Sequence, residues 1–303
     1  MLLSIITPTF NRGYCLEKLY ESLISIGSDE FEWILVDDGS TDNTVLLAGK
    51  WQEQKNINFR FIKQSNLGKT NAVIRAFNSD PTGKYSVVLD SDDILVPDAL
   101  RLIKEKLIEL QADEIGLSFL KSDTKGQIIG SEFKLASSSY IDLYFGKNRC
   151  FGDKLFVIKT SVYKNSLVPA YPGEKLIPEG VMYLNMQIWG KFRCINRIIY
   201  YGDYLNDGLS NSIIKLAAEN INGFILEKRM LQLEPLSFTD SIKNDIKYLC
   251  YCLAGKKSWK EIFLYSRNKV LLGLLIMPTC ILSWRRISAI RDIISEKHIN
   301  QKL

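Results

Sequence analysis

The chain has 303 residues, of which 46% are hydrophobic and 24% are charged, and this composition excludes disorder, collagen and a coiled coil as the dominant state. The formal net charge is +5, but residues 256–303 alone carry ten basic and three acidic side chains. The first 255 residues therefore have a net charge of −2, which argues against a main domain that binds nucleic acid.

Short apolar segments alternate with segments of helical periodicity as far as about residue 120. The segments predicted to be strands are Leu2–Thr7, Trp33–Val36, Phe59–Ile62, Tyr85–Leu89 and Ile115–Leu120. The helices predicted between them carry apolar positions that include Leu19, Leu47, Val73 and Ile103. This alternation is typical of an α/β fold with a mostly parallel sheet that is covered by helices on both faces. In such sheets the ligand binds beyond the carboxyl ends of the strands.

The rest of the chain is less regular at first and then helical. A small β region is predicted at 155–159, 192–196 and 198–201, and residues 169–180 form a loop rich in proline and glycine. From about residue 212 the pattern is that of helices. We therefore expect three parts, residues 1–120, residues 121–211 and a basic helical C-terminal extension at residues 212–303.

The longest apolar run of the extension is Val270–Trp284, fifteen residues without a charge. As a helix it would span roughly 22 Å, short of the roughly 30 Å of a bilayer core, and Pro278 interrupts it. Together with its basic flanks, Trp259 and Trp284, the run predicts contact with an anionic membrane surface. Packing in the protein core or in a dimer is the alternative.

The cysteines and the histidine exclude several kinds of site. The six cysteines have neither a paired spacing nor a CxxC pair, and Met1–Thr7 lacks the character of a signal peptide. We expect free thiols and a cytoplasmic location, peripheral on the inner face of the cell membrane if the extension binds lipid. The single histidine, His298, lies in the polar tail, which excludes a Ser-His-Asp triad and a zinc protease.

Polar clusters follow three of the predicted strands, at Thr7–Arg12, Asp37–Ser40 and Asp90–Asp93. Asp90 and Asp92 are separated only by Ser91, so both carboxylates can face one cation. Burying Asp93 beside them is costly unless a cation neutralises the group. Mg²⁺ or Mn²⁺ fits, because these ions prefer oxygen ligands and keep positions for a diphosphate. The alternative is a solvated acidic turn before a helix.

The other clusters have two interpretations each. Asp37 and Asp38 could accept hydrogen bonds from a base or ribose, or form a tight turn before a helix. Lys69 lies in the first turn of a predicted helix, where backbone amides favour anions, and it is either a phosphate contact or a surface lysine. Asn11 and Arg12 either begin a helix or form a wall of a nucleotide pocket.

Four motifs resemble, in order and spacing, those of family 2 glycosyltransferases of the GT-A fold. They are Ser4–Arg12, Val36–Asp42, Asn66–Lys69 and Leu89–Asp93. The resemblance is strong over residues 1–120, loose over residues 121–211 and absent from the extension. It implies a Rossmann-like GT-A domain, in which the first part binds a nucleotide sugar and the second binds the acceptor.

The resemblance also implies a role for each motif residue. The residues implied to line the nucleoside pocket are Pro8, Thr9, Asn11 and Arg12. Those implied to hold uracil or ribose are Asp37 and Asp38, while Lys69 is implied to lie near the diphosphate. Asp90 is implied to contact the ribose or the metal, Asp92 to ligate the metal, and Ser91 to lie beside the donor. The implied metal is Mn²⁺ or Mg²⁺, which would stabilise the charge that develops on the leaving diphosphate.

An inverting transfer also needs a general base for the acceptor hydroxyl, and without an available histidine a carboxylate must serve. The family's base is an acidic residue downstream, often in an E-D pair, which this chain lacks. Glu179, at the start of a predicted helix, is the expected base and Glu174 is the second choice. The alternative for Glu179 is an acidic helix start stabilised by the helix dipole. Asp207–Ser210 either closes the site or forms an ordinary turn.

The function implied is the inverting transfer of one hexosyl or N-acetylhexosaminyl unit from a nucleotide sugar. We expect a UDP-sugar donor and a saccharide or lipid-linked acceptor in bacterial surface-polysaccharide synthesis, such as capsule or O-antigen. The Q-x-x-R-W stretch of processive synthases is absent, so one sugar is expected per event. The alternatives are a sugar-nucleotide nucleotidyltransferase, which would want a glycine in Thr7–Arg12, and a non-catalytic nucleotide-sugar-binding scaffold, which would not need Asp90 and Asp92. The sequence leaves the sugar, the linkage and the oligomeric state open.

Overall fold

A computed structural model describes residues 1–27, 30–203 and 213–300, and the chain divides into two units. The first unit comprises Met1–Pro169 and Asn185–Tyr204, and the second comprises Ala170–Leu184 and Leu205–Leu303. The division differs from the predicted parts, because it places no boundary at residue 120.

The first unit contains a mixed sheet. Its described strands are β1 Leu3–Thr9, β2 Phe31–Asp37, β3 Asn58–Lys63, β4 Tyr85–Val88, β5 Ile94–Leu95, β6 Glu114–Ser122, β7 Ser137–Ser138, β8 Lys154–Lys159 and β9 Lys191–Tyr201. Their order is β3-β2-β1-β4-β8-β6-β9-β5, with β7 paired to β9. The pairs among β1, β2, β3 and β4 are parallel, whereas β8 is antiparallel to both β4 and β6. The small β region expected after residue 120 is therefore part of this same sheet.

Helices connect these strands and contribute the core. They are α1 Gly13–Ser25, α2 Thr44–Gln54, α3 Lys69–Phe77, α4 Ala99–Ile108, α5 Tyr140–Tyr144 and α6 Thr160–Ser166. In α1 the buried positions Leu16, Leu19, Tyr20 and Leu23 follow helical spacing and face the sheet. The ring of Tyr20 stacks on Trp51 of α2 with a centroid distance of 4.5 Å, and Trp51 lies 5.5 Å from Trp33 of β2. Aromatic contacts of this kind fix α1 and α2 against β2.

The amino ends of the parallel strands are joined by a buried carboxylate, Glu32 of β2, which is 1% exposed. It accepts hydrogen bonds from Ser4 of β1 at 2.7 Å and from Arg60 of β3 at 3.1 Å. The backbone amide and hydroxyl of Thr82, just before β4, also donate to Glu32. Burial raises the pKa of Glu32, but these hydrogen bonds outweigh the burial and lower the pKa below its ordinary value of 4.5.

Glu32→Gln is expected to lower the free energy of unfolding at neutral pH by about 2–4 kcal/mol, because the buried charge and its ion pair with Arg60 are lost. Since the folded-state pKa is lowered, the stabilisation is present above pH 4.5 and is lost as the pH falls below that value. Urea unfolding at neutral and acidic pH measures both effects. Glu30→Gln, which removes an exposed ion pair with Lys104, is the control and should change stability by less than about 0.5 kcal/mol. Equal effects of the two substitutions would contradict the assignment.

The second unit is helical in its described residues. Its helices are α7 Glu179–Met186, which begins in this unit, α8 Ile213–Glu219, α9 Ile221–Leu231, α10 Phe238–Ala254, α11 Trp259–Leu264, α12 Lys269–Leu282 and α13 Trp284–Asn300. One apolar cluster joins α8, α9, α10 and α13, and a second joins α10, α11 and α12. None of the described helices is long and apolar enough to cross a membrane alone. The helices α12 and α13 taken together have that length and composition, but the chain bends by 80° between them.

Candidate active site

The carboxyl ends of β1 and β2 are tied to each other by a set of short hydrogen bonds. Thr9 is opposite Asp37 in the strand register. The backbone amide of Asn11 donates to the hydroxyl of Ser40 at 2.8 Å, and the side-chain oxygen of Asn11 accepts from the amide of Thr41 at 2.8 Å. Asn11 has a φ of 52°, a left-handed conformation that asparagine tolerates better than most residues. The first two polar clusters of the sequence are therefore one continuous edge.

Asp38 joins this edge to the loop before α3. One carboxylate oxygen of Asp38 accepts from the side chain of Gln64 at 2.7 Å and from the amide of Leu67 at 2.8 Å. The other accepts from the amide of Gly68 at 2.8 Å. Asp37 forms a tight turn by accepting from the amide of Ser40 at 3.0 Å. Both aspartates are thus engaged within the protein, and their contact with uracil or ribose stays a prediction.

Lys69 is the first residue of α3 and forms an ion pair with Asp90 at the end of β4. The ammonium nitrogen lies 2.8 and 3.0 Å from the two carboxylate oxygens. Burial raises the pKa of Asp90, but the charge and hydrogen bond of Lys69, together with the charges of Lys121 and Arg12, outweigh the burial and hold the pKa below its ordinary value. The third and fourth motifs are therefore in direct contact.

Asp93 has a lysine partner that the sequence analysis missed, Lys121 at the end of β6. Their charged atoms are 2.8 Å apart, and both side chains are nearly buried. Burial and the negative charge of Asp90 raise the pKa of Asp93 to about 7, although Lys121 acts in the opposite direction. Three adjacent acids therefore do not by themselves require a metal ion here, because lysines neutralise two of them. The sequence signal for this ion pair was Lys121 itself, a single lysine directly after the apolar strand predicted at Ile115–Leu120.

Asp92 is the remaining acid of the motif. Its carboxylate is half-buried and makes no hydrogen bond or ion pair within the described residues, while Ser91 beside it is buried. Among the residues that the structure describes, no three His, Cys, Asp or Glu side chains cluster as a ready-made metal site. Mg²⁺, however, is commonly held by one or two carboxylates together with substrate phosphates, so the carboxylate of Asp92 fits such an ion. Asp90 could contribute only in competition with Lys69.

The residues expected to line the nucleoside pocket surround the end of β1. Pro8 lies inside β1 opposite Val36, so the strand extends further than the predicted Leu2–Thr7. The hydroxyl of Thr9 is buried and has no hydrogen-bond partner among the described residues. The guanidinium of Arg12 donates to the hydroxyl of Tyr14 and lies 5.7 Å from the centroid of its ring. Their contact with a nucleoside stays a prediction.

The two candidates for the base lie in the second unit and differ in their surroundings. Glu174 is buried and accepts from the amide and side chain of Asn222, at 2.7 and 2.8 Å, and from the amide of Gly223 at 3.0 Å. These donors are in the first turn of α9, so Glu174 stabilises the start of that helix. Glu179 is exposed and is the first residue of α7. Asp207–Ser210 lies outside the described residues.

Comparison with protein families identifies the first unit. The model of "Glycosyl transferase family 2" matches residues 4–165, more than half of the chain. Glycosyltransferase GlyG of Streptococcus pneumoniae is 31% identical over 38% of this chain and 38% of its own length. Chondroitin synthase of Escherichia coli is 29% identical over 74% of this chain, which corresponds to 32% of the synthase. The chain thus spans about a third of the length of these two relatives.

A third relative matches over most of both chains. The GalNAc(5)-diNAcBac-PP-undecaprenol beta-1,3-glucosyltransferase of Campylobacter jejuni is 22% identical over 86% of this chain and 85% of its own.

Solved structures show the same fold. Residues 1–349 of TarS from Staphylococcus aureus superpose with a TM-score of 0.55 at 17% identity, covering 99% of this chain and 92% of that one. The mannosyltransferase PcManGT of Pyrobaculum calidifontis, solved with GDP-Man and Mn²⁺, gives a TM-score of 0.57 at 15% identity, covering 99% and 88%. The fold is therefore that of the GT-A glycosyltransferases.

Proposed function

The chain belongs to glycosyl transferase family 2 and is a glycosyltransferase, and on that premise we propose that it transfers one sugar, with inversion, from a UDP-sugar to a saccharide or lipid-linked saccharide. The donor site is the edge of the first unit that is built by Asn11, Asp38, Lys69, Asp90 and Asp92. The product would be a surface polysaccharide of a bacterium.

The observation that carries this proposal is the chain of contacts along that edge. Asn11 bonds to Ser40, Asp38 bonds to the loop that ends at Gly68, and Lys69 pairs with Asp90. Segments between Asn11 and Asp90 are therefore joined, contact by contact, at the edge where parallel sheets bind their ligands. An edge that combines the start of a helix, a lysine and a carboxylate suits a nucleoside diphosphate, which has both donors and negative charge.

Known relatives support the choice of donor and acceptor. TarS has been solved with UDP and with UDP-GlcNAc. The Campylobacter relative carries in its name a polyprenyl-diphosphate-linked saccharide acceptor, and the Escherichia relative is a polysaccharide synthase. A UDP-sugar and a lipid-linked or free saccharide are the substrates that these likenesses favour for the present chain.

In the reaction the bond between the anomeric carbon and the diphosphate breaks, and the leaving diphosphate gains negative charge. Lys69, in the first turn of α3, would stabilise that charge together with the amides of the helix start. Mn²⁺ or Mg²⁺, if bound, would supply further positive charge at the diphosphate, and Asp92 is the side chain that would hold it. The ion pair between Asp93 and Lys121 connects the Leu89–Asp93 motif to the end of β6.

The acceptor hydroxyl must lose a proton as it attacks, and we assign this step to Glu179. Glu174 is the weaker candidate, because its carboxylate already accepts three hydrogen bonds at the start of α9. We propose a cytoplasmic location, since none of the six cysteines, which all lie within the described residues, is in a disulfide.

A thermal-shift screen of nucleotide sugars, with and without Mn²⁺, tests the donor class. A ligand that binds only the folded protein stabilises it by mass action, by about 2.7 kcal/mol at a hundred times its Kd. We expect a UDP-sugar with Mn²⁺ to raise the Tm by about 5 °C or more, and ADP-sugars to leave it unchanged. A screen in which no UDP-sugar raises the Tm would overturn the proposal.

A further inference from the structure

Helix α12 presents a row of large apolar side chains to solvent. Val270, Leu274, Met277 and Ile281 are 76%, 70%, 72% and 66% exposed. Their spacing of four, three and four residues places them on a single face of the helix. These four residues are called the α12 face below. Isolated exposed apolar residues are normal on a protein surface, but an aligned row over three turns marks a contact surface.

The orientation of this row is fixed by packing on the other side of the helix. Leu272 and Thr279 are fully buried, and Leu272 belongs to the apolar cluster with Tyr248, Leu249 and Ile262. The side chain of Asn268 accepts from the amide of Leu271 and caps the helix start. Rotation of α12 to bury the row would expose that cluster, so the row faces outward in the folded unit.

The exposed charged residues that flank α12 most closely in sequence are basic. Arg267 and Lys269 are exposed before the row, and Arg285 is exposed after it. From residue 262 to residue 291 the sequence contains no aspartate or glutamate. Trp284, which is 61% exposed, stands at the end of the row, and tryptophan is the residue that favours the boundary between lipid and water. Apolar area bordered by positive charge complements the surface of an anionic bilayer.

The geometry determines how such a bilayer could be met. The fourteen residues of α12 span about 21 Å, less than the roughly 30 Å of a hydrocarbon core. The chain then turns by 80° into α13. A helix that is short, followed by a sharp bend and apolar on the face that the unit leaves exposed is suited to lie in the plane of the lipid headgroups.

We propose that the α12 face is a membrane-binding surface that inserts into the headgroup region of an anionic bilayer, with Arg267, Lys269 and Arg285 on lipid phosphates and Trp284 at the boundary. This inference is independent of the transfer reaction. It identifies the surface, the orientation of the helix and the lipid class, and it would hold for any donor sugar.

The test is flotation of the full-length protein with vesicles. We expect the protein to float with vesicles that contain phosphatidylglycerol and to bind pure phosphatidylcholine at least tenfold more weakly. The double variant Leu274→Glu/Met277→Glu should lose at least tenfold in binding, because both side chains are exposed and the substitution acts on the surface only. Leu46→Glu/Ile108→Glu, which adds the same two charges at 76% and 86% exposed positions of the first unit, is the matched control and should bind as the parent does.

Two further measurements make each outcome decisive. The tryptophan emission should shift to the blue when anionic vesicles are added, and Trp284→Phe should remove that shift. This measurement leaves the four residues of the α12 face unchanged. Sedimentation without lipid tests whether a second copy of the chain covers the α12 face instead of a membrane. A dimer that Leu274→Glu/Met277→Glu dissociates, from a parent that does not float, would overturn the proposal, as would equal flotation of the parent and the double variant.

Discussion

Asp92→Ala is expected to lower the turnover of a UDP-sugar by about two to three orders of magnitude, with the protein remaining folded. Asp92 is the one acid of Asp90–Asp93 that no lysine pairs within the described residues, since Lys69 engages Asp90 and Lys121 engages Asp93. It is therefore the carboxylate best placed to hold a divalent ion with the donor diphosphate. UDP release at saturating Mn²⁺ measures the effect.

The control for this variant is Asp98→Ala, six residues further along the chain. Asp98 precedes α4 and pairs at the surface with Arg101, and its loss should leave turnover unchanged. The dependence of the rate on Mn²⁺ should become weak in Asp92→Ala and should stay normal in Asp98→Ala. If Asp92→Ala turns over normally with an unaltered Mn²⁺ dependence, the site is wrongly assigned.

Glu179→Gln is expected to lower the rate of sugar transfer by about a hundredfold or more, while UDP binding and the Tm stay unchanged. The amide cannot accept the proton of the acceptor hydroxyl, yet it has the shape of the carboxylate and lies at an exposed helix start, so the variant is expected to stay folded. Transfer to a soluble saccharide acceptor and the Tm shift with UDP are measured on the same preparation.

Glu174→Gln should give the opposite pattern. It removes a buried charge that accepts from Asn222 and Gly223, which should cost about 1–3 kcal/mol and lower the Tm. Below that Tm the variant should still transfer sugar. An inactive Glu174→Gln with a normal Tm, beside an active Glu179→Gln, would exchange the two roles.

The strands of the first 120 residues could be predicted because their apolar runs are local signals. The extension of β1 through Pro8 was missed, since proline normally interrupts a strand. Pro8 has the same orientation in β1 as Ile6, whose carbonyl accepts a hydrogen bond from the amide of Leu89. The N–H that Pro8 lacks would therefore point towards β4, which has already ended at this position. The inclusion of β8 and β9 in the same sheet depends on long-range pairing, which periodicity does not encode.

The residues of the proposed site could be named from the sequence, and their roles stay predictions; their contacts within the protein could not be derived from it. Motif spacing located Asp38, Lys69 and Asp90, but the partner of each lies 21 or more positions away. Lys121 pairs with Asp93 across the sheet, and Glu174 reaches α9 across 48 residues. Each of these pairs depends on tertiary geometry, and a single sequence carries no signal for it.

The contacts along the donor edge also limit how this protein can change. Asn11, Asp38 and Lys69 each bind a neighbouring loop or side chain, so a substitution at any of them would disturb several segments at once. Mutational tolerance should therefore be low along that edge and greater in the exposed parts of residues 123–153. An altered preference for the sugar is expected to be more accessible to directed evolution through such peripheral positions than through the residues of the proposed donor site.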